Sequence, residues 1–267
     1  MAYAPDIDST RAVPAVAGRP SISAILPAYN EEAVIERSVR HVADVLRGLT
    51  DDFEVVVTND GSSDGTADVL ARLEGDPSLR LRVVTHPRNL GYGAALGSGF
   101  DAARKELIFF TDGDKQFDVR ELSTFLPAIG GPTDMVIGWR RKRADPPLRL
   151  LNAWGWKQLV NGLFGYTARD VDCAFKLFRR EVWESVTVQA RGATFSAEFL
   201  IKTRRLGFGI VELPVTHLPR TAGQATGARP AVIARAFVEL VRLRLNLERE
   251  LADSRARPST AAAASSS

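Results

Sequence analysis

The sequence predicts an α/β fold with a mostly parallel central sheet and helices on both faces of that sheet. Two observations lead to this prediction. Short apolar runs typical of buried strands alternate along the chain with longer segments whose apolar residues recur at helical spacing. In addition, loops rich in polar residues follow the predicted strands at residues 27–31, 59–64, 87–89 and 112–116. Because ligands of such sheets bind beyond the carboxyl ends of the strands, we expect these four loops to form one crevice.

The first half of the chain contains five predicted strands, and a helix follows each of the first four. The strands are apolar runs at residues 22–26, 53–58, 81–85, 107–110 and 134–138. The helices are predicted at residues 33–49, 67–73, 91–103 and 119–125. The first helix has the clearest spacing, because one face carries Val34, Ile35, Val39, Val42 and Leu46.

The second half is less regular. It contains a predicted helix at residues 197–205, a strand at residues 210–215 and a long basic amphipathic helix at residues 230–251. No repeat or linker divides the chain, so we predict one main domain at residues 21–226, followed by a C-terminal helix at residues 227–253. Residues 1–20 and 254–267 lack apolar periodicity and are predicted to be disordered tails.

The composition is that of an ordinary soluble globular protein. Of the 267 residues, 45% are apolar and 25% are charged, and the formal net charge is only +3. This charge gives no indication of nucleic-acid binding. The single cysteine, Cys173, excludes an internal disulfide and fits a reducing compartment. The chain shows neither a signal-peptide pattern nor a run of about 18 apolar residues, so we expect a cytoplasmic protein that does not span a membrane.

The acidic stretch after the fourth predicted strand indicates a metal site. Asp112 and Asp114 follow the apolar run, with Gly113 at the turn between them. Carboxylates two residues apart on extended backbone can point the same way, and such hard oxygen ligands suit Mg²⁺ or Mn²⁺. Gln116 offers a further, neutral oxygen ligand. A metal with so few protein ligands usually binds substrate phosphates as well, so we expect it to bridge a diphosphate. The alternative is a solvated acidic turn.

Six motifs occur along the chain in a fixed order. They are Pro-Ala-Tyr-Asn-Glu at 27–31, Asn-Asp-Gly-Ser-x-Asp-Gly-Thr at 59–66, Asn-x-Gly-x-Gly at 89–93, Asp-Gly-Asp-Lys-Gln-Phe-Asp at 112–118, Asp-Cys-Ala-Phe-Lys-Leu at 172–177 and His-x-Pro-Arg at 217–220. In this order they resemble the motifs of inverting family-2 glycosyltransferases, especially the dolichyl- or polyprenyl-phosphate mannose and glucose synthases. The resemblance covers residues 21–226. The chain departs from the family pattern at Ala174, commonly Gly, and at Lys115, usually Gly or Ala.

The resemblance implies a GT-A fold over residues 21–226 and a donor substrate that is a nucleotide-diphosphate sugar, either GDP-mannose or a UDP-sugar. It implies that the nucleotide base and ribose are held by Pro27, Tyr29, Glu31 and Asp60. It also assigns the metal on the donor diphosphate, Mg²⁺ or Mn²⁺, to Asp112, Asp114 and Gln116, so that Asp112 serves the substrate as well as the metal.

The acceptor implied by the resemblance is the phosphate of a polyprenyl or dolichyl lipid. Arg140 and Arg220 are the expected phosphate partners, because a guanidinium fork matches phosphate oxygens, and Arg149 is a weaker candidate. His86 and His217 flank the expected crevice, with His217 favoured for contact with a phosphate, and Arg88 and His217 complete the predicted substrate-binding residues. We expect the chemistry to consist mainly of positioning two anions and neutralising both of them.

A different acceptor would change the catalytic requirement. An anionic phosphate oxygen needs little help from a base, whereas a hydroxyl acceptor requires a carboxylate to take its proton. Asp172 is the first candidate for this base and Glu198 the second, and either residue is equally compatible with a helix cap or an ion pair. The chain lacks the Gln-x-x-Arg-Trp segment of processive polysaccharide synthases, which favours the lipid phosphate.

Two apolar and basic segments suggest contact with a membrane surface. Residues 146–164 place Trp154 and Trp156 beside Arg and Lys, and residues 230–251 form the basic amphipathic helix. Tryptophan next to basic residues is typical of segments in the headgroup layer. We therefore expect peripheral attachment at the inner face of the cell membrane, directly or through a membrane-protein partner. The alternative is that Trp154, Trp156 and Phe164 cover the core.

Several rival interpretations remain open at this stage. One is a family-2 transferase that acts on a glycan or small-molecule hydroxyl, and another is a non-catalytic nucleotide-binding protein. A sugar nucleotidyltransferase is disfavoured, because residues 27–32 are not a glycine-rich loop with an arginine. Residues 91–97 mimic a dinucleotide-binding fingerprint, yet they follow the third predicted strand instead of the first. We therefore interpret these glycines as a site of close helix packing.

Overall fold

The computed structural model describes residues 19–113, 116–141, 147–218 and 230–255. It contains seven strands: β1 (Ile22–Ala28), β2 (Phe53–Asn59), β3 (Leu81–Thr85), β4 (Leu107–Thr111), β5 (Met135–Arg140), β6 (Phe175–Arg179) and β7 (Ile210–Val215). Eight α-helices accompany them: α1 (Ile35–Leu49), α2 (Thr66–Glu74), α3 (Tyr92–Ala102), α4 (Leu122–Phe125), α5 (Pro147–Phe164), α6 (Arg180–Ser185), α7 (Phe195–Arg205) and α8 (Pro230–Arg255). Most of both predicted tails, residues 1–18 and 256–267, lies outside the described residues.

The strands form one sheet in the order β3-β2-β1-β4-β6-β5-β7. The pairs β2–β3, β1–β2, β1–β4 and β5–β7 are parallel, whereas β6 is antiparallel to both of its neighbours, β4 and β5. The prediction of a mostly parallel α/β sheet is thus confirmed. Because β6 runs the opposite way, its first residues lie at the edge of the sheet where β1, β2, β4 and β5 end.

Helices cover both faces of the sheet. Phe109 and Phe110 are successive residues of β4, so their side chains point to opposite faces. The ring of Phe110 lies 5.4 Å from that of Phe100 in α3. The ring of Phe109 lies 4.9 Å from Phe175, which is in turn 4.9 Å from Phe125 of α4. Since all five of these rings are buried, the two aromatic layers form the core above and below the sheet.

One strand was not predicted. The sequence of β6, Phe-Lys-Leu-Phe-Arg, contains two cationic residues, Lys176 and Arg179, which interrupt the apolar run that marks a buried strand. All five residues of β6 are nevertheless buried. The predicted helix at residues 119–125 also differs in part, because Val119–Glu121 forms a 3₁₀ turn before α4 begins.

The C-terminal helix α8 is attached to α7 by buried polar contacts. Lys202 of α7 is 1% exposed and donates to Glu198, at 2.6 Å, and to Glu250 of α8. Thr194 donates to Glu239 of α8. One face of α8 is buried through apolar residues that lie one helical turn apart: Ala236, Leu240, Leu243 and Leu247. None of the helices in the described ranges combines the length and the hydropathy needed to cross a bilayer.

Candidate active site

The loops predicted to form a crevice meet at one edge of the sheet. The chain segments that follow β1, β2 and β4 leave the sheet at this edge because the three strands are parallel. The loop before the antiparallel strand β6, residues 170–174, reaches the same edge, as does Arg140 at the end of β5. The site therefore combines three loops of the N-terminal half with two segments of the C-terminal half.

Asp60 connects the loops after β2 and β3. Its side chain is 3% exposed, and its carboxylate accepts hydrogen bonds from the backbone N–H groups of Leu90 at 2.8 Å and Gly91 at 2.9 Å. The Nδ1 atom of His86 lies 2.7 Å from the same carboxylate, and His86 Nε2 lies 2.9 Å from Ser98 Oγ. Asp60, predicted to contact the nucleotide, thus uses three hydrogen bonds to hold this edge of the site together.

The loop after β1 is interlocked with the loop after β2. The backbone N–H of Asn30 donates to Ser62 Oγ at 3.0 Å, and Asn30 Oδ1 accepts from the Ser63 N–H at 2.8 Å. The Glu31 N–H donates to Thr66 Oγ1 at 2.9 Å. Asn30 has a φ of 56°, in the left-handed region that Asn tolerates better than most residues. These contacts give the two loops a defined shape before any ligand binds.

Asp64, in the loop after β2, is held in its charged form. Burial alone would raise the pKa of Asp64, but hydrogen bonds from the hydroxyl and N–H of Thr66 and from the Glu32 N–H outweigh it and lower the pKa. Tyr29 is 44% exposed beside these loops, Arg88 is exposed, and Pro27 and Glu31 are partly buried. Tyr29, Glu31 and Arg88 therefore lie on loops at the same edge, and Pro27 is the next-to-last residue of β1 at that edge.

The glycines at the start of α3 serve close packing, as the sequence interpretation predicted. The carbonyl of Arg191 accepts hydrogen bonds from the N–H groups of Gly93 at 3.0 Å and Ala94 at 3.2 Å. A Cβ atom on Gly91, where φ is +105°, would lie 2.5 Å from that carbonyl oxygen. A Cβ atom on Gly93 would lie 2.7 Å from Phe195 Cβ. The first turn of α3 is thus occupied by protein and is not a dinucleotide site.

We expect Gly93→Ala to lower the free energy of unfolding by about 2 kcal/mol, because the added methyl group overpacks this contact. Gly97→Ala in the same helix is the matched control, since its Cβ would meet nothing closer than 3.8 Å. Helix propensity favours the control variant, which should be unchanged or up to about 1 kcal/mol more stable. Urea denaturation measures both, and equal effects of the two substitutions would contradict the packing role.

The acidic loop after β4 is fixed by α1 and α3. Tyr92 of α3 donates its hydroxyl hydrogen bond to Asp112 Oδ1 at 3.0 Å, and Asp112 is partly buried. Ser38 of α1 donates to the carbonyl of Gly113. The Leu218 N–H donates to the Gln116 carbonyl at 2.8 Å, and Phe117 pairs with His217 in an antiparallel bridge. His217, predicted to flank the crevice, is therefore held directly against the acidic loop.

The oxygen ligands of this loop fit a hard divalent cation. Asp112 supplies a carboxylate and Gln116 an amide oxygen, the donor types that Mg²⁺ and Mn²⁺ accept together with waters and phosphates. Among the described residues, no three His, Cys, Asp or Glu side chains lie close enough together to bind a metal. The third predicted ligand, Asp114, lies outside the described residues, as do Arg220 and the side chain of Arg149.

Arg140 is oriented by a carboxylate that the sequence analysis did not select. Its Nε and Nη2 atoms each lie 2.7 Å from an oxygen of Asp170, and its backbone N–H donates to Asp170 at 3.2 Å. The side chain of Arg140 is only 7% exposed. Burial alone would lower its pKa, but the hydrogen bonds and charge of Asp170 raise it, with a smaller contribution from Asp172. Arg140 therefore remains a fixed cation at the crevice.

The two candidate bases differ in their surroundings. Asp172 is exposed, on the loop that reaches the edge of the sheet. Glu198 is 4% exposed and accepts from the N–H groups of Gln189 and Ala190, at 2.9 and 2.8 Å, as well as from Lys202. The structure thus shows Glu198 as an ion-pair partner inside the protein, the alternative that the sequence left open for it.

Residues that the sequence analysis missed act on other site residues. Asp170 orients Arg140, and Ser38 holds the turn after Asp112. One of the two carries a signal in the sequence: Ser38 lies on the apolar face of the predicted first helix, where a polar residue is unexpected. Cys173 is fully buried, and burial raises the pKa of its thiol to about 12, as expected for a structural cysteine.

Residues 23–187 match the family model described as glycosyl transferase family 2, and the chain belongs to this family. The family predicted from the six motifs is thereby confirmed. The relatives include glycosyltransferase AglD of Haloferax volcanii, 33% identical over 79% of this chain and 35% of that protein. They also include dodecaprenyl-phosphate galacturonate synthase of Rhizobium johnstonii, 29% identical over 76% of this chain and 60% of that protein. The chain thus spans less than two thirds of the length of these relatives.

The fold is shared with a solved structure. Glucosyl-3-phosphoglycerate synthase from Mycobacterium tuberculosis, in complex with Mn²⁺, uridine-diphosphate-glucose and phosphoglyceric acid, superposes with a TM-score of 0.67. The alignment covers 84% of this chain and 79% of that chain, with 22% sequence identity. The likeness confirms the GT-A fold.

Proposed function

We propose that the chain is a metal-dependent inverting glycosyltransferase that moves a hexose from a nucleotide-diphosphate sugar to a polyprenyl phosphate. The observation that carries this proposal is the meeting of Asp112 and Arg140 at one edge of the sheet. Transfer between two phosphate-bearing substrates requires that both anions be neutralised. A carboxylate can hold a cation on the first anion, and a fixed guanidinium can bind the second. Relatives named as dodecaprenyl-phosphate galacturonate synthase and polyprenol monophosphomannose synthase support this acceptor class.

The donor binds, in this proposal, at the interlocked loops after β1 and β2. The half-exposed ring of Tyr29 is available to stack on a nucleotide base, with Pro27 and Glu31 beside it. Asp112 and Gln116, together with Asp114, would hold Mg²⁺ or Mn²⁺ on the donor diphosphate. When bound, the metal supplies Lewis-acid stabilisation of the charge on the departing nucleoside diphosphate. A structural neighbour with Mn²⁺ and uridine-diphosphate-glucose supports this assignment.

The acceptor phosphate binds near Arg140. Asp170 occupies the Nε and Nη2 atoms of this arginine, and within the described residues its Nη1 atom makes no hydrogen bond, so we assign Nη1 to the acceptor phosphate together with Arg220. A phosphate oxygen then attacks the anomeric carbon, and the bond from that carbon to the donor phosphate breaks with inversion. No proton has to be removed. A hydroxyl acceptor would instead give its proton to Asp172.

The experiment that tests the proposal measures transfer directly. Purified protein is incubated with radiolabelled UDP- or GDP-sugars, a short polyprenyl phosphate and Mg²⁺ or Mn²⁺, and label in the organic phase is counted. A parallel reaction contains the same polyprenol without its phosphate, and another contains phosphoglycerate. Label on the polyprenyl phosphate alone is the expected result. Label on phosphoglycerate alone would establish the hydroxyl-acceptor alternative, and no transfer to any acceptor would overturn the proposal.

The proposed place of reaction is the cytoplasmic face of a membrane, reached by peripheral contact, alone or beside a membrane-protein partner. Opposite its buried face, α8 exposes an apolar stripe that consists of Phe237, Val238, Val241 and Leu245. Exposed arginines border this stripe at positions 242, 244 and 249. Apolar residues between cations match the boundary between acyl chains and anionic headgroups. In α5, Trp154 is 59% exposed, whereas Trp156 and Phe164 pack on the core.

We expect the double variant Phe237→Ser/Leu245→Ser to lose most binding to anionic vesicles, because these side chains are 51% and 79% exposed on the stripe. The protein should remain folded, since neither residue is buried. Val211→Ser, a 37% exposed position on the edge strand β7, is the matched control and should bind normally. Co-sedimentation with phosphatidylglycerol vesicles is the measurement, and equal binding by both proteins would contradict a role of the stripe.

A further inference from the structure

Lys176 is a fully buried lysine directly behind the acceptor side of the site. It lies in the centre of the sheet, where β6 pairs with both β4 and β5, and its side chain is 0% exposed. The ammonium donates hydrogen bonds to two backbone carbonyls, that of Val171 at 3.3 Å and that of Cys173. It also lies 5.1 Å from the centre of the Phe110 ring. Within the described residues it makes no direct ion pair.

A lysine buried in the centre of the sheet lowers the stability of the folded protein. Burying an ammonium removes its hydration, and backbone carbonyls and an aromatic ring replace that hydration only in part. Burial accordingly lowers the pKa of Lys176. The neighbours Phe175, Leu177 and Phe178 show that this strand accommodates apolar side chains, so a methionine would fill the position at lower cost. We therefore expect Lys176 to have a function, and its hydrogen bonds indicate which one.

The two carbonyls that Lys176 binds belong to the residues on either side of Asp172. The loop they define is short and turned, because the Cys173 N–H donates to the Asp170 carbonyl at 3.3 Å. The side chain of Cys173 packs against Gly138 of β5, where an added Cβ would lie 3.1 Å from the sulfur atom. Residues 170–173 are thus held by the hydrogen bonds of Lys176 and by the packing of Cys173 against β5.

We propose that Lys176 is a positioning residue that fixes Asp170 at the site by binding the carbonyls of Val171 and Cys173 in the same turn. The inference rests on the proposed function, since it concerns the geometry of the same transfer reaction. The lysine holds the backbone of the loop 170–173 in one conformation. The carboxylate of Asp170 is thereby kept in place to orient Arg140, whose Nη1 atom is assigned to the acceptor phosphate.

The kinetic test is a double-mutant cycle between Lys176 and Asp170. Lys176→Met removes the donors at nearly constant length, and Lys176→Gln keeps an amide donor in case the methionine variant folds poorly. We expect kcat to fall at least about tenfold, since small displacements of positioned groups are costly, with the KM for the nucleotide sugar within about twofold. In an Asp170→Asn background, the same substitution should have little further effect.

Additive effects in this cycle would overturn the proposal, because a merely structural lysine would slow the enzyme independently of Asp170. A wild-type kcat for Asp170→Asn alone would overturn it as well, since there would be no group to position. Leu46→Ala is the control for a general loss of stability. Leu46 is fully buried near the C-terminal end of α1, away from the crevice, so this variant should be less stable but keep its kcat per folded molecule.

A second readout does not depend on turnover. Cys173 is the one cysteine of the sequence and is fully buried, so a thiol reagent such as 5,5′-dithiobis(2-nitrobenzoate) reports on this loop alone. Lys176→Met should make Cys173 react at least about tenfold faster than in the wild-type protein or in Leu46→Ala. Unchanged protection of Cys173 would overturn the proposal even if the wild-type protein transferred no sugar. Absence of transfer with a reactive Cys173 would overturn the proposed function alone.

Discussion

Asp112→Asn is expected to lower the turnover number about a thousandfold while the protein stays folded. In the proposed mechanism, the substitution removes the charge that would hold the cation on the donor diphosphate, and a loss of about 4 kcal/mol of transition-state stabilisation corresponds to this factor. Asn is nearly isosteric and keeps an oxygen that can accept the hydrogen bond of Tyr92. Thermal unfolding should therefore change little. Initial rates with saturating Mn²⁺ measure the effect.

Two controls separate the cation from the hydrogen bond. Tyr92→Phe removes only the hydroxyl that donates to Asp112, so its turnover should fall less than about tenfold. Chelation of divalent cations by EDTA should bring the wild-type enzyme to the residual rate of Asp112→Asn. Turnover within a few-fold of the wild type in Asp112→Asn would refute the metal assignment to this residue.

Asp60→Asn is expected to lower the free energy of unfolding by about 3 kcal/mol. The carboxylate is 3% exposed and accepts from two backbone N–H groups and from His86, so an amide would turn its NH₂ group toward a donor and leave that donor unpaired. The loops after β2 and β3 should separate as a result. We therefore also expect weaker binding of UDP or GDP, measured by titration calorimetry, alongside urea denaturation.

Asp118→Asn is the matched control for this second prediction. Asp118 caps the 3₁₀ turn before α4 and pairs with Arg120 at the surface. Because Asn is also a good cap and the ion pair is solvated, the free energy of unfolding should change by less than about 1 kcal/mol. A comparable loss of stability in both variants would show that the buried network around Asp60 has no special importance.

Local patterns in the sequence were sufficient to predict most of the fold. The spacing of apolar residues along α1 and the β-branched runs of β1 and β2 predicted these elements to within two residues, because each pattern depends only on local periodicity and burial. β6 was missed for the opposite reason. Its cationic side chains have partners that apolar periodicity does not reveal: Lys176 donates to backbone carbonyls of the preceding loop, and Arg179 pairs with the distant Glu106.

The contrast between local sequence patterns and contacts of distant segments also explains which site residues were predicted. Loops that directly follow strands were predicted to converge, and the structure brings residues 27–31, 59–66 and the acidic loop together because the strands are parallel. The residues that orient others, such as Asp170 and His86, depend on contacts between distant segments. Their roles follow from distances between atoms in the folded protein, which the spacing of residues along the sequence does not give. The assignments of Asp114, Arg149 and Arg220 stay predictions from the family resemblance.

The position of β6 has a consequence for the order in which the chain assembles. β1 to β4 are synthesised consecutively and pair with one another, so the N-terminal half of the sheet, apart from the inner edge of β4, has its hydrogen-bonding partners by residue 111. β5 emerges next but has no partner, because β6, which joins it to β4, begins about 35 residues after β5 ends. Until then the inner edge of β4 is open to any other strand. A ribosome-bound nascent chain would therefore expose this edge to aggregation for the time needed to translate α5.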